Sequence, residues 1–283
     1  MEKYIVENKK VFDFNKKERN SFFKKNFFEM IKFHQKNCKD YFRILKKLSF
    51  KLNKKTQVTD IPPIPVSLFK DNKLYSCKEK MIVKKLLSSG TTGNKQSQIF
   101  LDATNSKVQT KVLVQIMEDF FGKKRMPMLI IDKKFENKDR SKLLASQAAV
   151  NGFSILAKKT YFALHSNGQI NLEEIEKFLE EFADEKKIIF GFTNKVFQFF
   201  LEKHNLSKNI QFKNCILLHG GGWKKIESKS MDPKKFKFEL KKRYNFKKIV
   251  NYYGLIEQTG SIFVECNKCD AFKCSIYSDV YVR

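Results

Sequence analysis

The chain has 283 residues, 42% of them apolar and 14% aromatic, with 29 phenylalanines. That suffices for one large domain or two ordinary ones around a substantial core, and it excludes a wholly disordered chain. The formal charge of +27 points to a polyanionic partner, but 51 of the 57 basic residues are Lys rather than the fork-shaped Arg of nucleic-acid readers, so no specific nucleic-acid partner is expected.

Residues 1–57 read as basic amphipathic helices. Phe22, Phe23, Phe27, Ile31, Phe42, Leu45 and Leu48 recur at three- and four-residue steps, which predicts an apolar stripe and a structural helical layer. Pro62, Pro63 and Pro65 then force extended backbone and mark a boundary. The charge is uneven across it: residues 1–87 hold 23 basic and 9 acidic groups, residues 88–283 hold 34 and 21. The start of the chain has no apolar stretch of signal-peptide length, and no run approaches the ~18 residues of a membrane span. A cytoplasmic protein is expected, with Cys38, Cys77, Cys215, Cys266, Cys269 and Cys274 as reduced thiols or ligands.

From about residue 81 strands and helices alternate. Strands are predicted at Gln98–Leu101, Met128–Asp132, Ser154–Lys158, Ile188–Phe192, Cys215–Leu218, Ile249–Tyr253, Ile262–Glu265 and Ser275–Val282. Helices are predicted after an Asp102 or Thr104 cap, with Val108, Val112, Ile116 and Phe120 on one face. Further helices are predicted at Ser141–Asn151 with Gly152 as C-cap, at Leu172–Phe182, at Asn194–Lys203, and from Asp232-Pro233 onward. Asn167-Gly168 reads as a tight turn. The pattern implies an α/β fold with layered helices around largely parallel sheets.

Three segments carry chemistry. Ser88, Ser89, Gly90, Thr91, Thr92, Gly93 and Lys95 crowd hydroxyls, flexible backbone and a cation into eight positions. That composition suits a polyphosphate cradle, and equally a polar surface turn; its spacing is not that of a Walker loop. His219 is followed by Gly220, Gly221 and Gly222, which remove side chains where a flat ring could lie on backbone; Trp223 beside them also suits plain packing. Tyr253 and Gly254 end a strand and deliver Glu257, a carboxylate able to hold Mg²⁺ or simply to face solvent.

In this order, the three segments resemble the adenylate-forming enzymes, which include acyl-CoA synthetases and phenylacetate–CoA ligases. Residues Pro65–Lys70, His219–Lys225 and Asn251–Gly260 are most similar to the acyl-protein synthetase (LuxE-type) branch. The resemblance implies ATP-dependent activation of a fatty or other carboxylic acid to an acyl-adenylate with release of pyrophosphate, then acyl transfer to a protein thiol. It assigns Ser88, Ser89, Gly90, Thr91, Thr92, Gly93 and Lys95 to the phosphates and Glu257 to Mg²⁺, with Thr91, Thr92, Lys95 and Glu257 as the catalytic set. Gly220, Gly221, Gly222, Tyr253 and Gly254 would line the adenine. Thr259 and Gly260 would line the acyl carboxylate and α-phosphate, and Phe192 and Thr193 the acyl pocket. An acyl reductase or an acyl carrier protein is the partner class implied.

Family members continue past the point where this sequence ends, into a ribose-binding Asp, a hinge and a mobile lid. Asp279 stands too early to be that Asp. The expectation is a helical segment (1–57), an incomplete adenylation domain (58–283), no C-terminal lid, and impaired activity. An acyl-CoA ligase and an inactive partner docking on a reductase or carrier protein are the alternatives. Cys266, Cys269 and Cys274 fall within nine positions, which suits either structural Zn²⁺, with His219 or Cys215 as a fourth ligand, or plain thiols.

Overall fold

The computed structural model describes residues 5–7, 9–88, 95–135, 142–202, 206, 210–266, 269 and 271–282. Helix α1 (Lys16–Asn37) starts at a capping box. The Asn15 side chain accepts from the Glu18 N–H, and the Glu18 carboxylate accepts from the Asn15 N–H. Helix α2 (Lys39–Lys47) follows directly. The predicted stripe is only partly used: Ile31 and Leu45 are buried, whereas Phe42 and Leu48 are exposed.

A small sheet comes next. Strand β1 (Ile82–Leu87) pairs antiparallel with β2 (Gln98–Asp102) and parallel with β4 (Lys142–Leu144). The sequence reading missed β1 and β4, because β1 carries Lys84 and Lys85 in mid-strand and β4 is three residues long. Helix α3 (Leu68–Asp71) leans on this sheet through Phe69.

The main sheet has seven strands in the order β10-β9-β8-β7-β6-β3-β5. These are β3 (Met126–Lys133), β5 (Ala157–Leu164), β6 (Lys187–Phe192), β7 (Cys215–Gly220), β8 (Lys248–Tyr253), β9 (Phe263–Glu265) and β10 (Phe272–Lys273). The strands β5, β3, β6, β7 and β8 run parallel, and β9 and β10 are antiparallel additions. Alternate residues feed two cores, as strand geometry requires. Leu129, Ile131, Ile189 and Leu217 pack with helices α6 (Leu172–Glu181), α7 (Thr193–Phe197) and α8 (Pro233–Tyr244). Met128, Ile130, Ile188, Phe190 and Leu218 pack with α4 (Ala103–Phe121), α5 (Ala145–Ser154) and Val11. The α/β fold is thus as expected.

Several boundaries moved. Gly152 lies inside α5 rather than capping it; a Cβ there would stand 3.0 Å from Leu113 Cδ2, so the glycine lets α5 approach α4 closely. Strand β5 begins three residues after the predicted start at Ser154 and runs to Leu164. The helix predicted at 194–203 is α7 followed by a π-helical turn, Gln198–Glu202. No strand forms at 275–282. There the Ile276 N–H donates to Val11 O (2.9 Å), and the Tyr277 hydroxyl accepts from the Val6 N–H while donating to Gln115 Oε1, which turns the segment back onto the N-terminal residues.

Candidate functional site

The parallel strands β3, β6, β7 and β8 end together, and the candidate residues of the main sheet lie at that carboxyl edge, the usual ligand crevice of such sheets. Gly220 closes β7. A Cβ on it would lie 2.5 Å from the Tyr252 ring, so a neighbouring aromatic requires the glycine. Gly221 has φ +77°, a conformation glycine adopts without strain, and its bare face looks toward Phe192. Gly221 and Gly222 are exposed. Tyr252 is buried among Phe153 and Phe190, and burial pushes its phenol pKa up. Tyr253 points the other way, 48% exposed, with its ring edge near Phe263 and Phe272. Of the two tyrosines, then, only Tyr253 is free to meet a ring.

Residues 254–260 form a strap between the two sheets. Ile256 packs against Leu86, Ile99, Leu101 and Leu143 of the small sheet. Gly260 (φ +87°) sits against Gln109 of α4, where a Cβ would come within 2.5 Å of the Gln109 carbonyl. Between them Glu257 lies half-buried in the short 3-10 turn Ile256–Gln258. Thr259 follows at φ 30°, a left-handed backbone that a β-branched residue adopts at a cost of about 1–3 kcal/mol. The Oε1 atoms of Gln109 and Gln258 are buried here without a protein partner. A strained residue of the strap thus stands near two unpaired acceptors, one on the strap and one on α4.

The hydroxyl-rich segment stands in the sequence between β1 and β2, which pair antiparallel, whereas a Walker-type phosphate loop stands between a strand and a helix. Its neck is well made. The Ser88 N–H donates to Ser97 O (3.0 Å), Ser88 Oγ accepts from the Ser97 N–H (2.9 Å), and the Gln96 amide donates to Ser88 O (2.7 Å). Lys95 is exposed and pairs with Asp71 at 3.1 Å. Ser89, Gly90, Thr91, Thr92 and Gly93 lie outside the described residues.

Two polar arrangements at the same edge escaped the sequence reading. Asp132, the penultimate residue of β3, is 4% exposed and accepts from Lys195 Nζ of α7 at 2.5 Å. The available signal was a carboxylate closing the apolar run Met128–Ile131. Thr193 is buried rather than lining an open surface, and its hydroxyl meets His219 Nδ1 at 3.0 Å. His219 packs edge-on to Phe236, its Nε2 has no protein partner, and burial pulls its pKa down to about 3, which keeps the ring neutral. Trp223 packs on Phe197 and Phe236, as a core residue would.

The zinc expectation finds no ligand set: among the described residues no three His, Cys, Asp or Glu side chains come together to hold a metal. Cys269 interacts with Cys266, whereas Cys274 turns to Ser278, with its Sγ 3.2 Å from that carbonyl. Cys215 is buried at the start of β7, its pKa pushed up to about 12 by burial, and His219 bonds Thr193 instead. A cavity of about 150 Å³ lined by Met117, Phe121, Arg125, Met126, Leu156 and Ile188 lies at the opposite, amino end of the strands. Among the described residues no helix is long and apolar enough to cross a membrane.

The sequence model of the family described as "Acyl-protein synthetase, LuxE" matches residues 2–283. No curated protein matches the chain. Among solved structures, the chain is similar in fold to an open conformation of 2-hydroxyisobutyryl-CoA ligase in complex with 2-HIB-AMP and CoA. The TM-score is 0.65 at 9% identity, over 91% of this chain and 55% of that one, so the chain spans about half the length of that ligase. Looser alignments reach the Klebsiella oxytoca NpsA N-terminal subdomain in complex with 3-hydroxyanthranilyl-AMSN (TM-score 0.37, 14% identity, 65% of this chain, 40% of that one). They also reach the luciferase-like enzyme of the nonluminescent Zophobas morio mealworm (0.38, 17%, 80% and 49%).

Proposed function

The chain belongs to the acyl-protein synthetase (LuxE) family, and from that premise we propose that its sheet-edge site activates a carboxylic acid, of fatty-acid type, with ATP. In that reaction a carboxylate oxygen of the acid attacks the α-phosphorus, the bond to the bridging oxygen breaks, and pyrophosphate leaves. The protein's part is positioning and charge neutralisation. The observation that carries the reading is the strap 254–260. It runs from β8 of the main sheet to the core of the small one, where Ile256 packs beside Glu257, and it stores strain at Thr259.

The assignments are those the family resemblance implies, and the position of the strap supports them. Ser88, Ser89, Gly90, Thr91, Thr92, Gly93 and Lys95 take the phosphates, and Lys95 exchanges its exposed partner Asp71 for them, a small loss because such surface pairs contribute little. Gly220, Gly221, Gly222, Tyr253 and Gly254 take the adenine, whose face the exposed Tyr253 ring is free to meet. Thr259 and Gly260 line the reacting carboxylate, and Phe192 the acyl chain. Thr193 acts one step back, through His219. Glu257 is an oxygen donor of the kind Mg²⁺ prefers, and Mg²⁺ bound there would offset phosphate charge. A protein thiolate then attacks the acyl carbon, the acyl–phosphate bond breaks and AMP leaves, with a reductase or carrier protein as partner. Residues 1–57 serve as a helical layer on an adenylation domain that begins near residue 58.

The test is exchange of labelled pyrophosphate into ATP by the 283-residue chain, with fatty acids of graded length and Mg²⁺. Acid-dependent exchange is expected, reduced about 100-fold by Glu257→Gln. Absence of exchange with every acid would contradict the reading.

A further inference from the structure

The helices α1 and α2 present an outer face that the fold does not use. Between Lys16 and Lys47 the sequence holds eleven basic and three acidic side chains. Interleaved with the lysines, four large apolar groups stand in solvent: Met30 at 43%, Phe33 at 52%, Phe42 at 48% and Leu48 at 51% exposure. Met30, Lys32, Phe33 and Lys36 fall on one exposed arc of α1, opposite the buried Ile31. On α2, Phe42, Arg43, Lys46 and Lys47 are exposed around the buried Leu45. Leu48 also lines an open cleft of about 450 Å³ together with Lys51, Lys55, Thr56, Asp60 and Pro62.

We propose that this face docks the protein on an anionic phospholipid surface, with Phe33, Phe42, Met30 and Leu48 entering the headgroup–acyl boundary and the lysines lying over the phosphates. Two observations favour a lipid surface over an acidic protein. The apolar groups are interleaved with lysines on both helices, whereas a protein interface needs a dry, shape-matched centre. Each such group can sink separately among acyl chains. The cations are overwhelmingly Lys, strongly hydrated point charges suited to a diffuse anionic surface rather than to bidentate recognition. The helices lie on the surface and do not span it. Docking here is independent of the chemistry at the sheet edge.

The test is co-sedimentation of the full chain with vesicles of phosphatidylcholine alone, and of phosphatidylcholine containing about one-third phosphatidylglycerol. Binding to the anionic vesicles only, weakening as salt rises, is expected. Phe33→Ser with Phe42→Ser should lower the bound fraction constant about tenfold or more, and the urea unfolding midpoint should stay unchanged because both side chains are exposed. Lys32→Gln, Lys36→Gln, Lys46→Gln and Lys47→Gln together should also weaken it. Failure to bind anionic vesicles, including the case in which the face binds only an acidic protein, overturns the proposal. So does binding that ignores the phenylalanine pair.

Discussion

The same residue type does opposite things in two regions of this molecule. In and around the main sheet Phe178, Phe190, Phe200 and Phe212 are wholly buried, and each touches other rings. In the α1–α2 pair Phe33 and Phe42 are about half exposed. Both regions are rich in Phe and Lys. The difference is that the parallel strands of the sheet have two layers to pack against, whereas the helix pair has one. Hydrophobic spacing reports which face is apolar and says nothing of whether anything covers it.

Stability measurements can break or sharpen this contrast. Phe190→Ala should cost about 3–5 kcal/mol in urea unfolding, because its ring fills a site among Phe153, Phe192 and Tyr252. Phe33→Ala should change stability by no more than about 0.5 kcal/mol. Equal effects would erase the distinction. Gly220→Ala should cost about 1–3 kcal/mol, since the new methyl group meets the buried Tyr252 ring.

His219 offers a pH test of the sheet edge. Its native pKa of about 3 lies below the ordinary 6.5, so between those values the unfolded chain binds a proton that the native chain does not. Stability is therefore unaffected above about pH 6.5 and falls as pH drops toward 3, by up to about 1.4 kcal/mol per pH unit. His219→Gln should flatten that part of the urea-midpoint profile; an unchanged slope would place the proton elsewhere. The smallest effect is expected at Glu257, half-buried on the strap. Glu257→Gln should alter stability by less than about 0.5 kcal/mol while lowering pyrophosphate exchange about 100-fold.

Much of this was legible in the sequence. Long apolar runs such as Met128–Ile131 and Ile188–Phe190 announced buried parallel strands, and Asp232-Pro233 announced a helix start, which the Asp232 side chain caps. Short or lysine-bearing strands were not legible, because β1 and β4 owe their existence to pairing rather than to their own pattern. The expected strand at 275–282 failed because Ile276 and Tyr277 found better partners in Val11, Val6 and Gln115, far off in sequence. At the site, the glycines and Glu257 were visible as motifs. The Asp132–Lys195 pair and the Thr193–His219 contact were not, because each joins side chains from different elements at one sheet edge.

The central claim is that the sheet edge and the strap bind an acyl-adenylate. Isothermal titration with a non-hydrolysable acyl sulfamoyl adenosine tests it most directly. The account predicts one-to-one binding by the unaltered chain, retained in Phe33→Ser and lost in Gly221→Val, whose side chain would fill the bare face beside Phe192. No binding by the unaltered chain, or undiminished binding by Gly221→Val, would contradict it.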